Sequence, residues 1–438
     1  MTTEKRVRAY LDIVAKVRPT FKSVSARVCL VTSGNIASDP RLVKEASALR
    51  ESGYSVRLIA TNIISSLASY DAKIIAQLQC DWSRLEYRKP AWKRVARRVR
   101  QRAAATIAKR RSKFSLELAV LGHHSITPAL TTEARRLPAD LYIAHNLAAL
   151  PAAAAAASRH GAPLGFDAED YHPGELEDEL GQVELCIRRV MERELLPRCR
   201  HLTCASPMIG EAYARDYGVS MKAILNVFSL EEAPPAPVRT ASTRGQEQSL
   251  YWFSQTIGPN RGLEQIVQAM AVMSTRVRLR LRGNPIREFV ERLRRLAEQA
   301  DSAELSSRIE VLPIAEPWEM VRLAAPHDLG LATELTISEN RSICLTNKIF
   351  TYLLAGVPVA LSQTPAQTQM AGELGEAALL IDLHNPEAIA ASFDSFFSSA
   401  ERQQAARDTA WRLARERYNW DIEQHKFLRL VEEVTLSR

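Results

Sequence analysis

Short apolar runs alternate with stretches of helical spacing along nearly the whole chain. Val28–Thr32 reads VCLVT and ends in Ser33-Gly34-Asn35, after which a helix starts near Pro40 and runs through Leu49. Gly53 stops it, and SVRLIA at Ser55–Ala60 predicts the next strand. Asp140–Ala144, Pro163–Asp167, His201–Ala205 and Lys222–Asn226 read the same way, beside helical blocks such as Ala148–Ser158 and Pro207–Tyr217. Apolar strands of roughly four to six residues, separated by helices of about ten to fifteen, predict a parallel sheet covered on both faces.

The rhythm breaks at Glu231–Gln248, where Pro234, Pro235 and Pro237 precede a polar stretch, a composition that predicts a linker. Alternation restarts with Leu250–Ser254, Val277–Leu281, Arg308–Leu312, Asp328–Ala332, Val357–Leu361 and Ala377–Ile381. The expected fold class is therefore α/β, with two doubly wound Rossmann-like domains facing across a cleft. An N-terminal extension covers 1–25, the first domain 26–230, the linker 231–248, the second domain 249–415 and a closing helical segment 416–438. Ligands of such sheets bind at the carboxyl ends of the strands, which places the expected site in the cleft.

Length and composition agree with this picture. A chain of 438 residues suggests two or three domains, and 46% hydrophobic with 25% charged residues excludes disorder throughout. No run of eighteen or more apolar residues would span a membrane, and Met1–Lys16 has no apolar core of a secretion signal. The expected location is cytoplasmic. The six cysteines show neither CxxC nor metal-ligand spacing, so they are expected as reduced thiols, with no metal site.

Two stretches suggest anion chemistry. In Leu345–Ser362 (LTNKIFTYLLAGVPVALS), Thr346 or Asn347 can cap a helix carrying Lys348 in its first turn, and Gly356 ends it. Free N–H groups, the helix dipole and a lysine make a natural anion site, although a solvated lysine on an ordinary helix gives the same pattern. In Ser254–Glu264 (SQTIGPNRGLE), Gly258 and Gly262 permit a tight turn, and Arg261 can serve as a phosphate clamp. The turn after the first strand, from Thr32 to Arg41, includes Gly34 but lacks the GxGxxG of dinucleotide binding. Polar clusters at His145-Asn146 and Asp167–His172 fall at strand ends where ligands bind; helix capping explains Asp167 or Asp170 equally well.

Taken in order, these segments resemble the glycosyltransferases of GT-B fold, specifically the large retaining family four that uses nucleotide sugars. The pieces are VCLVTSGNIASDPRLVKEASALRESGYSVRLIA, DLYIAHNLAALPAAAAAA, PLGFDAED, LTCASPMIGEAYARDYG, the NV of AILNV, RGLEQIVQAM, NKIFTYLLAGVPVALS and the closing Tyr418-Asn419-Trp420 region, over about residues 27–430. The resemblance implies a sugar moved from a nucleoside diphosphate donor, a co-substrate rather than a cofactor, to a glycan or lipid-linked acceptor in cell-surface polysaccharide or glycolipid synthesis. It implies that the second domain holds the donor, with Arg261 and Lys348 at the diphosphate and Gly258, Gly262 and Asn347 shaping the site. It implies that the first domain holds the acceptor against Gly34, with His145, Asp167 and Glu169 positioning its hydroxyl. The chain departs from the pattern in several places. Thr351 stands where the second of two family glutamates is expected, and Ile343 stands at the first. Thr351 would offer a hydroxyl to the ribose, while Glu334 or Glu339 would supply the missing carboxylate. Ser254-Gln255 replaces an earlier cation, and Glu169 replaces a histidine. A non-catalytic nucleotide-sugar-binding scaffold and a nucleotide-sugar epimerase are the alternatives.

The net charge of +8 is local. Arg88–Lys113 carries twelve cations and no acid, so the rest of the chain is net negative and no nucleic acid is expected as partner. Trp92, Val95 and Val99, at i, i+3 and i+7, predict an amphipathic helix. The segment reads either as a solvated basic helix or as a peripheral contact with the anionic inner face of a membrane.

Overall fold

The computed structural model describes residues 26–87, 90–111, 113–175, 182–236, 247–300 and 303–436. The chain forms two compact units, Met1–Ile224 with Gln424–Arg438, and Leu225–Glu423. The division thus falls after Ile224, ahead of the proline-rich stretch. Residues 1–25, 88–89 and 237–246, which hold the expected extension, part of the basic segment and most of the expected linker, lie outside the described residues.

The first unit is built on seven parallel strands: β1 (Arg27–Thr32), β2 (Ser55–Asn62), β3 (Asp81–Glu86), β4 (Leu141–His145), β5 (Leu164–Ala168), β6 (Cys199–Cys204) and β7 (Lys222–Ala223). Their order is β3-β2-β1-β4-β5-β6-β7. β1 lies at the centre and is buried from Val28 onward, because its apolar residues face helices on both sides. The strand order reverses between β1 and β4, where Thr32 pairs with His145. That switch point is where open α/β sheets bind ligands.

Two strands differ from the sequence expectation. β3 reads DWSRLE and is at most half-buried, so its charged positions hide it from a search for apolar runs. It is an edge strand, held by register to β2 from Arg57↔Asp81 to Asn62↔Glu86. β7, expected over five residues, pairs over only two.

The second unit repeats the topology with six strands: β8 (Gln248–Ile257), β9 (Val277–Pro285), β10 (Ile309–Leu312), β11 (Leu329–Ala332), β12 (Val359–Ser362) and β13 (Ala378–Ile381). The order is β10-β9-β8-β11-β12-β13, so the switch point lies between β8 and β11. The helix Asn347–Leu354 packs directly on this sheet. Ile349, Phe350, Tyr352, Leu353 and Leu354 are all at most 1% exposed. The Tyr352 ring lies against Gly330 of β11, where a Cβ would come within 2.4 Å of it. The Tyr352 hydroxyl donates to the Tyr251 carbonyl at 2.9 Å. A side chain at position 330 would lift the helix, and with it Lys348, off the strand ends.

The helix Trp420–Leu436 groups with the first unit from Gln424 onward. There Phe427 is fully buried and meets His201 of β6 edge-on at 5.7 Å. Its first turn belongs to the second unit, where Glu423 and Asp421 accept from the Leu225 and Leu230 amides.

Candidate functional site

In the second unit the switch-point loops are tied together by backbone chemistry. The Thr333 hydroxyl, one residue past β11, donates to the Arg261 carbonyl at 2.6 Å. Gly262 follows at φ 69°, and a Cβ there would lie 2.8 Å from the Thr333 oxygen. Glycine is therefore required by both conformation and space. The tight turn uses Asn260, at φ 62°, together with Gly262; Gly258, expected to help, lies outside the left-handed region.

Glu334 is the hub of the site. Lys348 Nζ donates to its Oε1 at 2.8 Å and Arg341 Nη1 to its Oε2 at 2.7 Å. Arg261 Nη1 stands 3.8 Å from the same Oε2. The Ser362 hydroxyl fixes the hub by donating to the Glu334 carbonyl at 2.7 Å. Burial alone would raise the Glu334 carboxyl, but Lys348 first, then Arg341 and Arg261, hold it at about 2. Lys348 is only 7% exposed, and its ammonium lies 5.5 Å from the Trp252 ring centre. The solvated-lysine reading of the sequence is thereby corrected. Desolvation, and then the charge of Arg341, lower the Arg261 guanidinium from its usual value.

Three cations thus converge on one carboxylate and leave a surplus of two positive charges. Such crowding of like charges costs energy unless an anion answers it. Arg341 escaped the sequence reading because no local pattern marks it. The short helix Glu339–Ile343, capped by the Ser338 hydroxyl, carries it back to Glu334. Glu339 itself is exposed on that helix, so Glu334 rather than Glu339 is the carboxylate joined to Lys348. Asn347 opens the next helix and is exposed. Thr351 differs from expectation. It is fully buried, and its hydroxyl donates to the Asn347 carbonyl one turn back at 3.0 Å. That hydroxyl serves the backbone and does not present itself to a ribose.

In the first unit, the switch-point loops are laced by Thr32, Ser33 and Asn146. Asn146 Nδ2 donates to the Thr32 hydroxyl at 3.1 Å, and the Ser33 hydroxyl donates to Asn146 Oδ1 at 2.8 Å. Gly34 sits in this loop, half-buried, and a Cβ there would meet nothing closer than Ser38 Oγ at 3.5 Å. Beneath the loop lies a buried charge network. Arg41 Nε and Nη2 grip Asp167 at 2.6 and 2.7 Å, and the Thr203 hydroxyl donates to Asp167 at 2.5 Å. His145 Nε2 stands 3.2 Å from Glu45, and His145 Nδ1 stands 3.7 Å from Asp167. Arg41, Glu45, His145 and Asp167 are each at most 3% exposed. His145 and Asp167, expected to orient an acceptor hydroxyl, are instead internal: they join the helix Pro40–Glu51 to β4, β5 and β6. Glu169 alone of that set is exposed. Desolvation, and then Asp39, Asp170 and Asp167, raise its carboxyl to about 8 against the pull of Arg41. Because the side chain is open to water, the neighbouring carboxylates are the firmer of these causes.

Burial would lower the His145 imidazole, but Glu45 and then Asp39 and Asp167 raise it to about 9. A raised base contributes its stability in full below its unfolded value of about 6.5 and loses it as pH climbs through the folded value. The melting temperature is therefore expected to fall between pH 7 and pH 9.5, and His145→Gln to flatten that limb. Parallel slopes in the two proteins would show that His145 carries no charge.

Among the described residues, no group of three or more His, Cys, Asp and Glu side chains is placed to hold a metal ion. The six cysteines are free thiols. No helix of the described residues is long and apolar enough to cross a membrane.

No protein-family model matches the chain, and a search of curated proteins finds no match. Solved structures do match. HepE of Anabaena, crystallised with UDP-glucose, is 14% identical with a TM-score of 0.66, covering 93% of this chain and 100% of its own. The sucrose-phosphate synthase of Thermosynechococcus elongatus is 14% identical with a TM-score of 0.68, over 94% and 100%. TarM is 10% identical with a TM-score of 0.65, over 93% and 99%. At such identities the likeness is one of fold, and the chain has the GT-B fold of glycosyltransferases.

Proposed function

We propose that the protein is a glycosyltransferase that moves a sugar from a nucleoside diphosphate sugar to a glycan or lipid-linked acceptor, with retention. The observation that carries this reading is the convergence of Lys348, Arg341 and Arg261 on Glu334 at the switch point of the second unit. Their surplus of two positive charges complements a diphosphate diester. As the anomeric carbon–oxygen bond breaks, negative charge grows on the departing phosphate, and fixed cations stabilise it without reorganisation. Retention brings the acceptor hydroxyl in on the face the diphosphate leaves. The departing phosphate oxygen is then the nearest base for the acceptor proton. The new bond joins the acceptor oxygen to the anomeric carbon, and the nucleoside diphosphate leaves with the proton. Asn347 and Gly262 shape the donor side; Gly34 and Glu169 mark the acceptor side. Glu169, its carboxyl raised above the usual range beside Asp39, Asp170 and Asp167, would accept a hydrogen bond from the acceptor or donate one to it.

The donor serves as co-substrate, and no further cofactor is part of this reading. The HepE structures contain UDP and UDP-glucose, which makes uridine donors the first to test. The proposed setting is cytoplasmic, at the inner face of the membrane, in polysaccharide or glycolipid synthesis.

Thr351 favours a second reading, a scaffold that binds nucleotide sugars without turning them over, because the expected family carboxylate is missing. A panel of UDP-, GDP-, ADP- and dTDP-sugars separates the readings. Thermal stabilisation by one donor, together with its hydrolysis or transfer, supports the enzyme. Saturable binding without turnover, whatever acceptor is added, supports the scaffold. Conversion to an isomeric sugar nucleotide without an acceptor would mean an epimerase.

A further inference from the structure

The helix Ala91–Lys109 turns its apolar side chains away from the protein. Trp92, Val95, Val99 and Ile107 are 68%, 56%, 61% and 45% exposed. At about 100° per residue, they and Ala103 fall on one stripe along the helix. The opposite face does the packing. Ala104 and Ala108 are buried there, and Gly122 of the helix Leu116–His123 comes so close that a Cβ would lie 3.3 Å from the Ala105 nitrogen. Gln101 donates to the His123 carbonyl at 2.6 Å, and Arg97 donates to the Tyr87 carbonyl at 2.6 Å with its guanidinium 5.6 Å from the Tyr87 ring centre. These contacts fix the rotation of the helix, so the outward stripe is a built feature. Cations border the stripe on both sides, Lys93 and Arg100 along one edge and Arg98, Arg102 and Lys109 along the other; all five are exposed. No acid interrupts the helix.

An ordinary amphipathic helix of a soluble domain buries its apolar face and shows its charges. This one shows both, with small residues against the protein. An exposed apolar face between two rows of cations matches one partner chemistry, a bilayer surface carrying anionic headgroups. We infer that the helix Ala91–Lys109 lies in the membrane interface, with Trp92, Val95, Val99 and Ile107 entering the boundary of headgroups and acyl chains while the flanking lysines and arginines meet lipid phosphates. The inference supplies the membrane side of the proposed reading, yet it stands on the first unit alone and needs no donor chemistry.

The test uses the full chain and vesicles without any nucleotide sugar, so its failure is separate from failure of the transferase reading. Co-sedimentation compares vesicles of phosphatidylglycerol and phosphatidylcholine with vesicles of phosphatidylcholine alone, at low and high salt. One variant combines Lys93→Gln, Arg98→Gln, Arg100→Gln and Arg102→Gln. A second combines Trp92→Ser, Val95→Ser, Val99→Ser and Ile107→Ser. All eight positions are exposed, and circular dichroism checks that both variants fold. Wild type is expected to bind the anionic vesicles and to weaken with salt. The glutamine variant should bind several hundredfold more weakly, at about fivefold for each of its four cations. The serine variant should also bind at least about tenfold more weakly, because insertion of apolar area is lost. Equal binding to both vesicle types, or none to either, overturns the inference. So does a serine variant that binds like wild type, or binding to a single-stranded oligonucleotide at physiological salt with none to vesicles.

Discussion

Lys348→Ala is expected to lower turnover with the preferred donor roughly a hundredfold to a thousandfold, the scale seen when one preorganised charge-stabilising group is removed. The lysine lies 2.8 Å from Glu334 and is held there by a helix packed on the sheet through Tyr352 and Gly330. On the proposed reading its charge would meet the leaving group at little cost in orientation. Because Lys348 is buried, the substitution also removes an ion pair, but Glu334 keeps Arg341 at 2.7 Å. Lys348→Met, which retains most of the aliphatic stem, separates lost packing from lost charge. Arg261→Ala should act in the same direction, and the double variant should lose less than the product of the single losses if both cations grip one diphosphate. Single-turnover rates on variants with unchanged melting curves make the measurement. A wild-type rate in Lys348→Met would remove this residue from the chemistry.

Asp167→Asn is expected to destabilise the first unit by about 3–5 kcal/mol, a large part of a typical total of about 5–15. Asp167 satisfies two guanidinium nitrogens of Arg41, and Arg41 is 1% exposed with its remaining reach spent on the Ile224 carbonyl. An amide would leave that cation buried without a full counter-charge, beside the raised His145. The Arg41 pairing holds the Asp167 carboxyl well below its usual range despite burial. Its stabilising effect is therefore present above the unfolded value near 4 and is lost as pH falls through the lower folded value. Denaturant unfolding at pH 6 measures the loss. A change below about 1 kcal/mol would mean that the network relaxes or admits water.

Much of the fold was legible because fully buried parallel strands leave continuous apolar runs. The runs at Val28–Thr32 and Val277–Leu281 fall within β1 and β9. β3 was invisible for the converse reason: an edge strand bearing Asp81, Arg84 and Glu86 has no apolar run to detect. The candidate site in the second unit was half legible. Lys348 and Arg261 announced themselves by position, a lysine in a helix's first turn and an arginine before a glycine. Glu334 remained one of two choices and Arg341 went unnoticed, since both depend on how the segment between β11 and the helix Asn347–Leu354 folds back.

The sequence by itself determined the alternating architecture and the cationic segment, because periodicity and charge are local properties of the chain. Only the tertiary structure decided which charges meet. It turned His145 and Asp167 inward, where burial and Arg41 consume them, and spent the Thr351 hydroxyl on its own helix. It gathered Arg261, Arg341 and Lys348 from three separate segments onto Glu334. It also decided that Trp92, Val95 and Val99 face out while the alanines pack in, because Gly122 lets a neighbouring helix approach closely only on the alanine side. A helical period shows that one face is apolar, but the face that becomes core is chosen by the neighbour that packs against it.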